Sequence, residues 1–403
     1  MIIKKCFFTF LLSVGLLMSG CSGRVELNEL LIVSAIGVDI KEDNTAVHFQ
    51  VVNAGGSAGG QGGAPAGASG GAVYTYSVTG KTVYEAVEKA STILPRKLLF
   101  SHVTCIVVGE EYARQKGIDG LFDFLERNHG IRDSMLMLVA KESTAKNILT
   151  IYTPIFKNPA ESLRNRVKQS AAATGVAEGV QEKEVINWIH GQYRDPVIQG
   201  VERVEFDNQA DDTQNLQNID ANNKTFRITG LAYFKKDKMK GWYNTKQTRG
   251  WAIINSRAHE MFILSHKCNH SKGYVGSLIK GIKTDVTPKV HDGQLSYKIN
   301  VKGKAILQEV TCKINVGSPK ELKKIEFQIE EELTKELTSV IDKAQSKKLD
   351  VFGFGKLLYD NHPEMWRKYK KDWAEHFSDA NVKTTVNITL ETVGARVESI
   401  HEQ

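Results

Sequence analysis

From Pro319 to about Lys347, the apolar residues Leu322, Ile325, Ile329, Leu333, Leu337, Val340 or Ile341, and Ala344 recur every three or four positions, with Glu and Lys filling much of the rest. That spacing puts one apolar stripe along a helix of about eight turns. A helix of this kind is held by packing more than by propensity, so it demands a long apolar partner surface. The flanking segments supply it. Strand patterns over 281–290 and 295–301 are joined by Asp292-Gly293, a hairpin signal, and further strands read over 226–234, 261–264, 305–316 and 382–392. Ser318 is the expected N-cap, with Pro319 at N1 and Glu321 in the first turn. The second half is therefore an α+β unit, one long amphipathic helix against an antiparallel sheet.

The first half alternates differently. Leu30–Ile40 and Ala46–Asn53 read as strands, as do 73–78, 103–108 and 135–140. Helical spacing covers Val83 to Leu94 and stops at Pro95; two more helices read over 118–125 and 143–152, the last capped by Ser143 or Thr144. Strand and helix in turn predict a mixed sheet with helices packed on it. Residues 54–72 are almost wholly Gly, Ala and Ser and read as a flexible surface loop. They do not lead from a strand straight into a helix, so they are not a phosphate cradle. Residues 208–223, polar and acidic, read as a linker. The expected class is a multi-domain α+β protein with mixed β-sheets: a leader over 1–20, one domain over 21–207, the linker, and a second domain over 224–403.

The leader fixes location. Lys4 and Lys5 precede a short apolar run, Cys6 to Met18, of signal-peptide length. Met18-Ser19-Gly20-Cys21 then resembles a bacterial lipobox, although Met18 stands where leucine is usual. Cys21 would carry the lipid, and two acyl chains hold a protein on a bilayer where one does not. The formal charge of +7 becomes +5 without Lys4 and Lys5, and charges of both signs are interspersed. No basic stripe interleaved with aromatics points to nucleic acid. Cys105, Cys268 and Cys312 are odd in number and widely spaced, so no disulfide framework is implied, and Cys105 reads as a small buried hydrophobe.

Blocks in order along the chain carry a family resemblance. Arg24, Glu26, Leu27 and Asn28 are followed by Ile36-Gly37-Val38-Asp39; Ser101-His102-Val103 by Gly109-Glu110-Glu111-Tyr112; and Phe124-Leu125-Glu126-Arg127 by Ile131-Arg132. Gly230-Leu231-Ala232-Tyr233-Phe234 precedes Thr248-Arg249-Gly250, then Glu309, and Asp350-Val351-Phe352-Gly353-Phe354-Gly355 precedes Trp366 and Trp373. The sequence resembles the Ger(x)C family, the lipoprotein C subunits of spore germinant receptors. It departs at Ser22-Gly23, where the family often has Trp-Asp. The resemblance implies a non-catalytic subunit without a cofactor, anchored through acylated Cys21 to the outer face of the cell (inner spore) membrane. Its partners would be two polytopic receptor subunits, and its role nutrient-triggered germination. It leaves open whether this subunit touches the small-molecule germinant.

The motif residues themselves read as architecture. Gly353 and Gly355 flank Phe352 and Phe354 in a turn, and Trp366 and Trp373, seven apart, belong on one helix face as core anchors. Glu26, Asp39 and Glu309 lack a paired catalytic partner in sequence and read as caps or salt-bridge members. His266, Cys268 and His270 would alternate on one strand face and, with His259, offer zinc-type ligands, but the spacing is unusual and Asn269, Ser271 and Lys272 read as an exposed polar loop, so no metal is expected. No Ser-His-Asp, Cys-His or paired-carboxylate pattern stands out. The alternative function class is a solute-binding lipoprotein, which requires two similar lobes around a cleft, and the two halves here differ.

Overall fold

A computed structural model describes residue 26 and residues 29–52, 73–128, 130–151, 155–156, 158–175, 179–191, 193–205, 224–265, 273–291, 294–311 and 314–392. The expected Gly-rich loop, the linker, Cys21, Arg24, Leu27, Asn28, His266, Cys268, His270, Cys312 and the Asp292-Gly293 turn lie outside the described residues.

The larger sheet is built from β1 (Leu30–Lys41), β2 (Asn44–Val52), β3 (Val73–Gly80), β4 (Lys97–Leu99), β5 (Cys105–Gly109), β6 (Leu136–Ala140), β7 (Val180–Gln181), β8 (Val197–Glu205), β9 (Lys224–Lys235) and β10 (Lys238–Trp242). Its order is β10-β9-β8-β6-β5-β1-β2-β3, with β4 added to β1 and β7 to β6. The centre, β1, β5, β6 and β8, is parallel; β2-β3 and β9-β10 flank it antiparallel. β1 is buried over most of its length and reads as a nearly unbroken apolar run, as a strand covered on both faces must.

One face carries α1 (Val83–Ala90), α2 (Glu110–Gln115) and α3 (Asp119–Arg127), meeting Ile36, Val38, Phe49, Ile106 and Met137. The other carries α4 (Ala145–Leu149) and α5 (Pro159–Thr174), whose Leu163 and Val167 pack with Cys105, Val107 and Leu138. Thr144, not Ser143, caps α4 by accepting from Asn147 N. α6 (Glu182–Gly191) and β8, which periodicity did not announce, complete this region. β9 and β10 follow residues 208–223 in sequence yet extend this first sheet.

The smaller sheet has β11 (Glu260–Ser265), β12 (Val275–His291), β13 (Gln294–Val310) and β14 (Asn381–Thr392), in that order. Segments 295–301 and 305–316 are not two strands: β13 runs unbroken to Val310 because its hairpin partner β12 is equally long. A bulge at Gly281, where φ is +59°, keeps both halves of β12 in register. β14 is parallel to β13, so the sheet is not wholly antiparallel; the crossover that a parallel pair requires is supplied by α8 (Pro319–Ser346) and three short helices. These are α9 (Phe354–Asn361), α10 (Pro363–Tyr369) and α11 (Trp373–Asp379). Ile325, Ile329, Leu333, Leu337, Val340, Ile341 and Ala344 of α8 are all buried, as the stripe predicts. Ser318 occupies the N-cap position, but its side chain makes no capping bond. α7 (Thr245–Ile254) lies between the sheets, and a single core cluster runs from Ile36 through Trp251 to Leu333.

Candidate functional site

Two buried carboxylates organise the motif residues. The first is Asp39, near the end of β1. Its Oδ1 accepts from Ala145 N (2.9 Å) and its Oδ2 from Lys146 N (3.0 Å), closing the orphan amides of α4. Gly109 makes room for it: a Cβ there would sit 2.0 Å from Asp39 Oδ1. Gly37 does the same for α4, since its Cβ would meet Leu149 Cδ1 at 2.8 Å. On the same face Gln50 donates to Leu149 O (2.7 Å) and accepts from Ala160 N (3.2 Å), so it ties α4 to α5.

Asp39 also meets a group that sequence reading missed. His48 Nε2 lies 3.0 Å from Asp39 Oδ2, and His48 Nδ1 lies 2.8 Å from Ser77 Oγ, bringing Ser, His and Asp together from three adjacent strands. The cross-strand pair His48 and Ser77 follows from register alone, which a linear sequence hides. This row does not have the geometry of a nucleophile relay. The Asp39 contact is not aligned as a hydrogen bond, both Asp39 oxygens serve α4, and neither Ser77 nor His48 lines the larger cavities described below. Asp39 acts as a cap of α4.

The second carboxylate is Asp350, 1 % exposed. Its Oδ1 accepts from Phe352 N (3.2 Å), Gly353 N (2.9 Å) and Phe354 N (3.0 Å); its Oδ2 accepts from Gly355 N (2.8 Å) and Trp373 Nε1 (3.1 Å). Gly353 has φ +79°, which glycine alone adopts freely. Gly355 is needed for closeness: a Cβ there would lie 2.9 Å from Tyr193 O and 3.0–3.1 Å from both Trp366 and Trp373. Those tryptophans do not share one helix face. The helix breaks at 370–372, and the two rings meet edge to face at 5.2 Å from α10 and α11. Both are buried, so they are the core anchors expected, brought together by the break.

This knot joins the two sheets. Asp350 N donates to Asp195 Oδ2 (2.9 Å), and Asp195 N donates to Asp350 O (2.8 Å). Arg194 stacks over Trp188 at 4.3 Å and Trp251 at 5.4 Å, while its Nε and Nη2 have no hydrogen-bond partner. Burial pulls the Arg194 guanidinium down to about 9, and the Asp350 charge opposes that. Burial pushes the Asp195 carboxyl up to about 6, Lys235 opposing. Burial also raises Asp350, against the pull of the Gly355 and Phe354 amides. Trp251 Nε1 donates to Val351 O (2.8 Å).

The remaining motif residues serve packing or the surface. A Cβ at Gly230 would fall 1.7 Å from Tyr243 O, and one at Gly250 2.7 Å from Glu336 O, so these glycines set strand and helix spacing. Arg249 donates to the buried carboxylate of Glu336 (2.7 Å from Nε). Arg127 forms an exposed i, i+4 pair with Asp123 (2.7 Å), Arg132 and Glu309 are exposed, and the Glu26 carbonyl accepts from Glu29 N. His259 is exposed just before β11. Cys105 is wholly buried, and burial pushes its thiol up to about 12, the behaviour of an inert core residue.

Several cavities open among the described residues, one of about 830 Å³ lying beside Leu94, Arg96 and Phe100. One of about 840 Å³ lies between α1 and α3, lined by Tyr84, Phe124 and Arg127 among others. Another of about 600 Å³ lies at the sheet junction beside Trp188, Arg194, Gly353 and Lys356. A polar cleft of about 560 Å³ sits at the N-terminal end of β5 and β6.

Comparison with known proteins accords with this arrangement. The family model "Spore germination protein N-terminal domain" matches residues 23–203, and "Spore germination B3/ GerAC like, C-terminal" matches 229–394. Spore germination protein KC of Bacillus subtilis (strain 168) is 29% identical over 405 residues, covering 100% of this chain and 99% of that protein. Spore germination protein B3 of the same organism is 23% identical over 324 residues, covering 78% and 79%. The crystal structure of the GerBC protein shares the fold with a TM-score of 0.56 at 19% identity, covering 88% of this chain and 96% of that one.

Proposed function

The chain belongs to the GerAC-like (Ger(x)C) family of spore germination proteins, and from that premise we propose that it is the lipid-anchored, non-catalytic C subunit of a spore nutrient germinant receptor. It works with two polytopic membrane subunits and is held by an acylated Cys21 on the outer face of the cell (inner spore) membrane. The observation that carries this reading is the ordered match of both family models along the chain. The use of the motif residues agrees with it. Asp39 and Asp350, the buried carboxylates of the motif blocks, are occupied by backbone amides and hold the fold. A ten-stranded sheet beside a four-stranded one is not the pair of similar lobes a solute-binding lipoprotein needs.

Deleting the gene and scoring nutrient-triggered against calcium-dipicolinate-triggered germination tests the role; selective loss of the nutrient route is expected, and equal loss of both refutes it. Metabolic fatty-acid labelling tests the anchor. Cys21→Ala should lose label and leave the membrane fraction; persistent label or membrane retention removes the anchor from the proposal.

A further inference from the structure

The cleft of about 560 Å³ gathers two motif residues whose side chains are exposed, His102 and Arg132, with the outer face of α5. Arg132, Arg164, Lys168 and His102 are exposed along it, and Arg164 and Lys168 are one helical turn apart on the same face. Glu161 is the one carboxylate in its lining. Asp133, next to Arg132, is turned to a separate acidic group with Glu126 and Glu182. Among the described residues Arg132, Arg164 and Lys168 form no ion pair. A concave wall carrying two guanidinium forks, an ammonium and an imidazole, with Ser101, Ser134 and Asn165 as neutral partners, suits the oxygens of a phosphate.

The strand directions say which phosphate reaches it. β1, β5 and β6 are parallel and all begin at this end of the sheet. Thr104 N donates to Ser34 O and Leu136 N to Thr104 O, both at 3.0 Å, so the cleft is level with Ser34 of β1. The chain before Ser34 continues outward past the cleft, with Leu30 paired to Lys97 of β4. Cys21 precedes Glu29 by eight residues, a span of at most about 28 Å when extended. An acyl chain on Cys21 therefore keeps the bilayer within that distance of this end of the sheet, where Arg96 and Lys97 are also exposed.

We propose that the cleft of His102, Arg132, Arg164 and Lys168 receives the phosphate headgroup of an anionic phospholipid and so fixes which end of the first domain faces the membrane. The orientation rests on the anchor reading above; the phosphate chemistry does not. The acyl chains supply retention, and the cleft supplies direction, as when a lipid chain is combined with a basic patch.

The test uses the chain from Ser22 onward, which keeps every described residue and lacks the anchor, so its outcome is separate from that of fatty-acid labelling. It is sedimented with vesicles of phosphatidylcholine alone and of phosphatidylcholine mixed with phosphatidylglycerol. Binding is expected only to the mixed vesicles. R132E/R164E/K168E should weaken it by at least about 100-fold, since each basic residue near an anionic surface contributes about a factor of five. K298E/K302E/K383E, on the exposed face of the smaller sheet, should leave it unchanged. If the glutamate variant does not fold, R132Q/R164Q/K168Q takes its place with the same expected loss. Equal binding to both vesicle types, undiminished binding by the cleft variant, or loss of binding by the sheet variant overturns the proposal. So does thermal stabilisation by inorganic phosphate without vesicle binding, which makes the cleft a site for free phosphate.

Discussion

Removing the Asp350 carboxylate should be among the most damaging single changes to this protein. Five buried donors converge on it: the amides of Phe352, Gly353, Phe354 and Gly355 and the indole of Trp373. Hydrogen bonds to a charged acceptor contribute about 1.5–3 kcal/mol each, and donors left unpaired in the interior carry their desolvation cost. The five do not add fully, because a water entering the vacated space answers some of them. Asp350→Ala should still cost at least about 4 kcal/mol, a large part of the 5–15 kcal/mol that holds a typical domain. Asp350→Asn keeps the shape but turns an amide NH₂ against either the three donors at Oδ1 or the two at Oδ2, and should cost about 3 kcal/mol. Urea unfolding followed by tryptophan fluorescence reads this directly, since Trp373 donates to the carboxylate and Trp366 packs on Trp373. A loss under about 1 kcal/mol for Asp350→Asn would show that the carboxylate is not the keystone of the turn.

Glu182 is 3 % exposed, its Oε2 lacks a hydrogen-bond partner, and burial, with Asp133 and Glu126 nearby, pushes its carboxyl up to about 7. A carboxyl that binds its proton more tightly when folded makes stability fall as pH rises from its unfolded value, near 4.3, towards 7, so Glu182→Gln should raise stability by up to about 4 kcal/mol at pH 8 and by nothing near pH 4. Denaturation at the two pH values checks this, and a gain that is the same at both contradicts it. Leu333, 1 % exposed in the middle of the α8 stripe, should lose several kcal/mol as Leu333→Asp, whereas Glu332→Lys, which gives up the partly exposed ion pair to Lys246, should cost under about 1 kcal/mol. Similar midpoints for the two variants would mean that α8 does not bury its stripe. Under the receptor role proposed above, Leu333→Asp should also lower the spore levels of the proposed partner subunits along with its own.

Local physics made much of the fold legible. The α8 stripe is set by the 3.6-residue period, and β1 by its unbroken apolar run, both of which a linear sequence displays. Turn chemistry also announced itself: Gly353 occupies the positive φ that its place in the Phe-Gly-Phe-Gly segment implies. What escaped depended on the other side of each contact. β9 and β10 add to the first sheet because β8 offers them an edge, and nothing in residues 224–242 records which sheet has one free. Trp366 and Trp373 keep a helical spacing, yet they meet through a break at 370–372 that lets both reach the Gly355 surface. Gly109 reads as an unremarkable strand end until Asp39, seventy residues earlier, needs the space its missing Cβ leaves. The same holds for the basic cleft, whose Arg132 and Arg164 come from separate elements. Periodicity and backbone preference act between near neighbours in the chain, so the sequence alone determines the strongly patterned elements such as α8 and β1. Carboxylate capping, glycine close approach and charge clustering act through space between distant segments, and only the tertiary structure decides those.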